Sequence, residues 1–223
     1  MLRRTRVWPV PISALGLRTG LSTGLFSGRM TLILASTSAI RRALLEQAGV
    51  SFSIDPPDVD EASIEAAHAG EDFELALSLA EAKAADVSGR HASDWVIGGD
   101  SVISVEGRRF MKPSDRDEAA EHLRFFSGKA MRLVSAVALA RDGEVRWNHI
   151  SDAVLHARPL SEQFIQAYLD AEWPEVSYCV GVFRMEGRGV TLFDEVEGDH
   201  FTILGMPLLP LLGALRDHGL MAS

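Results

Sequence analysis

The sequence predicts an α/β fold with a mixed, twisted sheet flanked by helices. In the first half of the chain, apolar runs typical of strands alternate with helical patterns. Two longer strand patterns, Met131–Ala140 and Glu144–His156, follow on either side of Asp142-Gly143. That dipeptide is typical of a tight hairpin turn. We therefore expect both parallel and antiparallel pairing in one sheet.

The first half of the chain alternates strand and helix signals. Ser38 is a good helix cap, Gly49 a natural helix stop, and Pro56-Pro57 a break in any strand. The expected elements are a strand at Leu32–Ala35, a helix from Ser38 to about Ala48, a strand at Ser51–Ile54, an acidic loop at Asp58–Glu61, a helix at Glu71–Val87, and a strand at Trp95–Asp100 that continues through Ser101–Val105 to a turn at Glu106-Gly107.

The second half places the hairpin among further helices and strands. Ser161 is a suitable helix cap, and Pro207 lies near the first turn of the last helix, where proline is tolerated. The expected elements are a helix at Asp115–Phe126, the two hairpin strands, a helix at Ser161–Ala171, strands at Tyr178–Phe183 and Val190–Val196, and a closing helix at Met206–His218.

Composition indicates one folded domain preceded by an unusual leader. The chain has 223 residues, 47% of them hydrophobic, and a net charge of −9, which does not suggest a nucleic-acid-binding face. No apolar stretch is long enough for a membrane span. Residues 1–29 are basic and lack acids, and we expect a disordered tail or an overlong start before Met30. We expect residues 30–223 to form a single domain.

The lone Cys179 favours a reducing compartment and is expected to be a small core residue.

The junction after the first strand combines small hydroxyl residues with two arginines. A strand that runs into a helix N-terminus offers free N–H groups and a positive dipole end, which favour a phosphate. Ser36 and Arg41 lie at that junction, and a guanidinium matches phosphate oxygens well. An ordinary capped helix with both arginines in water explains the same pattern, and spacing alone leaves both interpretations open.

Asp100 is the strongest catalytic candidate in the sequence. It ends an apolar run directly after Gly98-Gly99, where a ligand can approach the backbone closely. Such a carboxylate can activate a water molecule or hold a divalent cation, although it can also simply bond local N–H groups. Lys83 and Lys112 are possible charges for phosphate, or solvated surface lysines. Glu61 could hold a metal or be solvated.

In their order along the chain, these short elements resemble the Maf family of nucleoside triphosphate pyrophosphatases. The resemblance covers about residues 31–215. The elements that carry it are Ala35-Ser36-Thr37-Ser38-Ala39-Ile40-Arg41, Val59-Asp60-Glu61, Leu79-Ala80-Glu81-Ala82-Lys83-Ala84, the strand Val96–Asp100, Lys112-Pro113, Ser127-Gly128-Lys129, Glu197-Gly198-Asp199 and Gly205-Met206-Pro207. The resemblance implies a Maf/ITPase-like fold with a central cleft.

The resemblance also implies a reaction and roles for individual residues. Asp100 would activate water, as general base or as a metal-linked carboxylate. Glu61 and Asp100 would hold a divalent cation, Mg²⁺ or Mn²⁺. Four residues would surround the triphosphate: Ser36, Arg41, Lys83 and Lys112. The α–β phosphoanhydride would be cleaved to a nucleoside monophosphate and pyrophosphate, with positive charge offsetting that of the phosphates.

Three positions bear on which nucleotide is used. Phe183-Arg184-Met185-Glu186-Gly187 is similar to the family branch that hydrolyses 7-methyl-GTP, whereas the pyrimidine branch has glutamine in place of Glu186. A carboxylate can accept hydrogen bonds from the N1–H and N2 amine of guanine. Ile40 stands where the 7-methyl-GTP branch tends to have a tryptophan, and Ser101 is chemically nearer the threonine of the pyrimidine branch.

Our leading hypothesis is therefore a cytoplasmic, metal-dependent nucleotide pyrophosphatase that removes modified nucleotides such as 7-methyl-GTP. Two alternatives are a dTTP or UTP pyrophosphatase and a non-catalytic nucleotide-binding regulator of cell division. The expected partner is the nucleoside triphosphate, with no nucleic acid and no membrane. The resemblance is also compatible with a homodimer.

Overall fold

A computed structural model describes residues 31–68 and 70–222 of the chain. Its strands form one seven-stranded sheet in the order β2-β1-β3-β5-β6-β7, with β4 also paired to β3. The strands are β1 (Leu32–Ala35), β2 (Ser53–Ile54), β3 (Trp95–Val105), β4 (Arg108–Phe110), β5 (Ala130–Arg141), β6 (Glu144–Ala157) and β7 (Phe193–Gly198). β1 pairs in parallel with β2 and β3, and the remaining pairs are antiparallel. The predicted mixed α/β sheet is confirmed.

Helices cover both faces of this sheet. They are α1 (Ala39–Gln47), α2 (Glu61–Ala67), α3 (Asp72–Arg90), α4 (Arg116–Phe126), α5 (Glu162–Glu172), α6 (His200–Ile203) and α7 (Leu208–Asp217). Side chains alternate across a strand, so neighbouring β3 residues point to opposite faces. Val102 packs into the core formed with α3, whereas Ile97 packs with α1 and α7 and Ile103 packs with α4 and α5.

Strand β3 is paired differently along its two edges. Every residue from Trp95 to Val105 pairs with β5 on one edge. On the other edge, Trp95–Gly98 pairs with β1 and Ile103–Val105 pairs with β4. Among the strands of the described chain, none pairs with Gly99–Val102 on that second edge. This opening in mid-sheet is called the open edge below.

On the face of the sheet that α3 covers, the helix backbone approaches β3 closely. A Cβ atom on Gly98 would lie 2.3 Å from the carbonyl oxygen of Ala80 and 2.6 Å from the backbone nitrogen of Ala84. Small residues therefore line both sides of the contact, and the backbone of α3 rests almost directly on the strand. This spacing fixes where the side chains of α3 meet the open edge.

Most helix boundaries follow the predicted signals. Ser38 caps α1 by accepting from the backbone N–H of Arg41, and Gly49 follows the helix at a φ of 71°. Asp115 and Ser161 cap α4 and α5 in the same way. The hairpin turn is confirmed as well, because Asp142 and Gly143 both have positive φ angles.

The structure departs from the predicted pattern in several places. The acidic segment is a loop as predicted as far as Asp60, but the helix α2 that follows it was not predicted; Asp60 accepts the backbone N–H of Ser63 and starts that helix at Glu61. The strand at Tyr178–Phe183 is absent, because the chain turns repeatedly there: the N–H of Val182 bonds to the carbonyl of Cys179. The strand at Val190–Val196 begins only at Phe193, after a 3₁₀ turn, and β4 was not anticipated.

The prediction for residues 1–29 lies outside the described part of the chain. Within residues 31–68 and 70–222, no helix combines the length and the hydrophobicity required to cross a bilayer.

Candidate active site

The ammonium group of Lys83 lies between two carboxylates beside the open edge. Its Nζ is 2.5 Å from Oδ1 of Asp100 and 3.0 Å from Oε1 of Glu61. The side chains of Lys83 and Asp100 are only 9% and 13% exposed, whereas Glu61 is 49% exposed. Three separate elements, α3, β3 and the start of α2, thus bring together three of the residues singled out from the sequence.

Local structure explains this convergence. Asp100 lies two residues beyond Gly98 on β3, so both point to the face covered by α3. The contact of Gly98 with Ala80 and Ala84 places the intervening helical turn, which carries Lys83, over the start of the open edge. Lys83 is one of the few charged residues buried in the described chain, and its charge is matched by the two carboxylates.

Glu65 is a further acid that the sequence reasoning missed. It lies one turn after Glu61 on α2, at the spacing that places two side chains on one helix face. Burial raises the pKa of Glu65, and the negative charges of Glu61 and Asp100 raise it further. The signal that could have found it is the four-residue spacing, but this is informative only once α2 is recognised as a helix.

The donors at this site suit a hard divalent cation. The Lys83 ammonium marks a position where positive charge is stabilised by both Asp100 and Glu61. Mg²⁺ is commonly held by one or two carboxylates, with substrate phosphates and water completing its shell. No group of three or more His, Cys, Asp or Glu side chains with metal-binding geometry occurs in residues 31–68 and 70–222. The residues therefore fit a cation shared with a phosphate ligand better than a closed protein site.

Arg41 reaches the open edge from the opposite face of the sheet. Its Nε donates to the carbonyl of Gly205 at 2.8 Å, and its Nη2 donates to the Ser101 hydroxyl at 3.1 Å. A Cβ on Gly99 would lie 3.4 Å from Nε, so the guanidinium packs against that glycine. Burial lowers the pKa of Arg41, while the negative charge of Asp100 opposes this effect. Arg41 is thus a cation held in a fixed orientation close to the acids.

A chain of hydroxyl groups stabilises this orientation. Ser101 Oγ lies 2.9 Å from Ser135 Oγ, and Ser135 donates to the carbonyl of Thr202 at 2.8 Å. Ser101 and Ser135 are directly opposite each other on β3 and β5, which is why their side chains meet. The hydroxyl of Ser101, expected to bear on base choice, is therefore occupied in holding Arg41. Sequence reasoning missed Ser135.

The two arginines of the α1 junction differ. Arg41 points inward, whereas Arg42 is exposed and lies 3.6 Å from Glu46 on the same helix. The buried Ser36 accepts the backbone N–H of Ser38 at 3.1 Å. Ile40 packs against the core beneath α1. The junction therefore combines features of both interpretations. It is an ordinary capped helix with Arg42 in water, and it also directs the cation Arg41 to the site.

The charges of Lys112 and Glu186 both act on Cys179, and neither residue takes part in the Lys83 pairs with Asp100 and Glu61. Both are exposed, on the loops after β4 and before the last 3₁₀ turn. Burial, with a smaller contribution from the charge of Glu186, raises the pKa of the half-buried Cys179 to about 11, while Arg184 and Lys112 oppose the rise. A thiol with such a pKa is almost entirely protonated near neutral pH, so Cys179 is unsuited to act as a nucleophile.

A cavity of about 520 Å³ lies elsewhere, between the start of α3 and the turn that joins β3 to β4. Neither Asp100 nor Lys83 lines it. Its charged lining includes Glu71, Asp72 and Glu106 against the single cation Arg132, which is a poor environment for a phosphate. The open edge, rather than this cavity, is the candidate active site.

Comparison with known proteins identifies the class to which this fold and site belong. The family model described as "Maf-like protein" matches residues 31–218, so the chain is a member of that family. One similar relative is named "7-methyl-GTP pyrophosphatase" in Rhizobium etli (strain ATCC 51251 / DSM 11541 / JCM 21823 / NBRC 15573 / CFN 42), with 48% identity covering 84% of this chain and 96% of the relative. Another is named "Nucleoside triphosphate pyrophosphatase" in Nitrobacter hamburgensis (strain DSM 10229 / NCIMB 13809 / X14), with 47% identity covering 86% of this chain and 95% of the relative.

A solved structure, a nucleoside-triphosphatase / dITP/XTP pyrophosphatase from Mycobacterium abscessus, also matches. It shares 19% identity over 57% of this chain and 72% of its own, with a TM-score of 0.34.

Proposed function

We propose that the protein is a nucleoside triphosphate pyrophosphatase that acts on 7-methyl-GTP or a similarly modified nucleotide. The reaction hydrolyses the α–β phosphoanhydride and gives a nucleoside monophosphate and pyrophosphate. The observation that carries the proposal is the placement of Lys83 between Asp100 and Glu61 at the open edge. The names of relatives at 46% to 48% identity, which include 7-methyl-GTP pyrophosphatases, support the same reaction.

Asp100 is the residue we assign to water activation. Its carboxylate is nearly buried and can accept the proton of a water molecule that attacks phosphorus. Lys83 offsets the charge of that carboxylate and can donate to a phosphate oxygen. A divalent cation, Mg²⁺ or Mn²⁺, is proposed to be held by Glu61 and Asp100, and when bound it would supply positive charge to the phosphate oxygens.

The triphosphate is assigned to the cations around the open edge. Arg41 is fixed by Gly205 and Ser101, so its guanidinium needs little reorganisation to meet phosphate oxygens. Lys112, exposed on the loop after β4, is assigned as a further point charge for the phosphates. Ser36 contributes through the backbone turn that it stabilises at the start of α1. Together these charges offset those that develop on the leaving pyrophosphate.

Glu186 supports the choice of a guanine base. Its carboxylate is exposed and can accept from both N1–H and the N2 amine, whereas uracil and thymine present a single ring donor. The resemblance of Ser101 to the pyrimidine branch loses weight, because the Ser101 hydroxyl is bonded to Arg41 and Ser135. Ile40 packs against the core and could give a base only apolar contact.

A cytoplasmic location and a homodimer stay predictions from the family resemblance.

The test is a substrate panel of 7-methyl-GTP, GTP, dTTP and UTP, each with Mg²⁺ and with Mn²⁺, scored by pyrophosphate release. We expect 7-methyl-GTP to give the highest kcat/KM. Asp100→Asn should reduce kcat by a factor of roughly 10² to 10⁴, the usual contribution of a positioned base. Asp170→Asn, a change at an exposed acid on α5, should leave activity unchanged. Nucleotide binding without turnover across the whole panel would contradict the proposal and favour a regulator.

A further inference from the structure

Arg184 lies only two residues before Glu186, yet it pairs with a different acid. Its Nη2 and Nε both donate to Oε2 of Glu172, at 2.8 and 3.2 Å. Glu172 is the last residue of α5, and its side chain is only 6% exposed. Within the described part of the chain, the exposed carboxylate of Glu186 makes no hydrogen bond and no ion pair.

A buried carboxylate such as that of Glu172 is costly unless a cation compensates it. Arg184 is the cation that does so here, and it is itself one-third exposed. Hydrogen bonding to Glu172 raises the pKa of Arg184, and the charge of Glu186 contributes to the same rise. The guanidinium therefore lies within electrostatic range of both acids, but only Glu172 holds it by hydrogen bonds.

The backbone around Arg184 is held tightly, so only its side chain can change direction. The N–H of Gly187 donates to the carbonyl of Arg184 at 3.0 Å. A Cβ on Gly189 would lie 2.5 Å from the backbone of Arg184, so the chain folds tightly over that residue. The hydroxyl of Tyr168, on α5, donates to the carbonyl of Val182 at 2.9 Å and ties the start of the segment to the helix. The direction of the Arg184 side chain is thus decided by which acid binds it.

We propose that Glu172 is a positioning residue that holds Arg184 away from Glu186 and so keeps the Glu186 carboxylate available to the base. The inference rests on the proposed function, because it gives Glu186 the role of base acceptor. A carboxylate already bound by a guanidinium has fewer lone pairs for the N1–H and N2 amine of guanine. A guanidinium beside that carboxylate would also repel 7-methylguanine, whose ring is cationic.

The first variant is Glu172→Gln, which keeps the size of the side chain but removes its charge. Released from Glu172, Arg184 should turn to Glu186 and compete with the base. We expect KM for 7-methyl-GTP to rise about ten-fold with kcat little changed, the size expected when a charge-assisted hydrogen bond is lost. The double variant Glu172→Gln/Arg184→Met removes the competing guanidinium as well, and its KM should return to near the wild-type value.

Glu162→Gln is the matched control, because Glu162 pairs with Arg124 at the other end of the same helix and should leave KM unchanged. Dissociation constants for 7-methyl-GDP are measured on all four proteins, so the inference is tested even if the wild type shows no turnover. An unchanged affinity in Glu172→Gln would overturn the inference. A double variant as weak as the single one would overturn it too, since that pattern indicates a purely structural role. A wild type that binds but does not hydrolyse instead contradicts the proposed reaction.

Discussion

The Nζ atom of Lys83 and the Oδ1 atom of Asp100 lie 2.5 Å apart, with both side chains nearly excluded from water. Each charge is therefore the principal compensation for the other, since the second acid on Lys83, Glu61, is half exposed. Removing one partner of a buried pair costs far more than the net contribution of the pair, because it leaves the other charge uncompensated.

Lys83→Met should destabilise the fold by about 3 kcal/mol in the absence of divalent cations. Lys129→Met is the matched control, because the Lys129–Glu106 pair is more exposed and should cost less than about 1 kcal/mol. Urea denaturation measures both. Added Mg²⁺ should recover part of the stability of Lys83→Met, since a bound cation can compensate Asp100 and Glu61 in place of the ammonium. Equal costs for the two variants would contradict this assignment.

Ser135→Ala should weaken substrate binding although Ser135 is fully buried and is not itself a cation at the open edge; its hydroxyl bonds to Ser101 and to the carbonyl of Thr202. The change removes one support of Ser101 and thereby loosens Arg41. We expect KM for the triphosphate to rise roughly three- to ten-fold, the equivalent of one neutral hydrogen bond.

The control for this experiment is Ser88→Ala. Ser88 is equally buried and bonds to Ala85 and Gly143, which lie on elements that do not hold Arg41. It should lower stability without changing KM. If Ser135→Ala lowers only stability in the same way, the hydroxyl chain does not position Arg41.

Gly98→Ala should be strongly destabilising, because its new Cβ meets the backbone of α3 at 2.3 Å. Overpacking of this kind costs roughly 1–3 kcal/mol, and more where the obstacle is backbone. Gly89→Ala, on the exposed last turn of the same helix, meets nothing within 4 Å and should stabilise by about 0.5–1 kcal/mol. Thermal unfolding of the two variants gives opposite shifts in Tm if α3 rests directly on β3 as described.

His122 gives the fold a predictable dependence on pH. Burial lowers the pKa of His122, and the nearby Glu118 only partly opposes this shift. The unfolded chain therefore takes up the proton first, so this contribution to stability is complete above about pH 6.5 and is lost as the pH falls below that value. The ring packs against Phe110 and Phe126, which favours its neutral form.

The measurement compares the wild type with His122→Leu by urea denaturation at pH 7.5 and at pH 5.5. The difference between the two proteins isolates this one group from the many carboxylates that also titrate. We expect the wild type to lose more stability than the variant between these two pH values. Parallel losses would show that His122 does not titrate differently in the folded and unfolded chains.

The sequence signals were sufficient wherever local chemistry decides the structure. Ser38 and Gly49 bound α1 because a cap and a positive φ are properties of single residues. Asp100 stood out because it ends an apolar run. Helix α2 was missed since none of its residues is buried, so it carries no hydrophobic periodicity to detect.

The residues that the sequence did not reveal act across long separations. Ser135 lies in an apolar strand, and its contact with Ser101 depends on the register of β3 against β5. Glu172 and Arg184 meet across a segment without regular strand pairing, which had been predicted as a strand. In both cases the partner is set by tertiary packing, which single-residue preferences and periodicity do not encode.

The unbroken pairing of β3 with β5 has a mechanical consequence for the open edge. All eleven residues of β3 pair with β5, so one continuous strand carries both the β1 side and the β4 side of the opening. Widening the opening therefore requires β3 and β5 to bend together, rather than two separate strands to part.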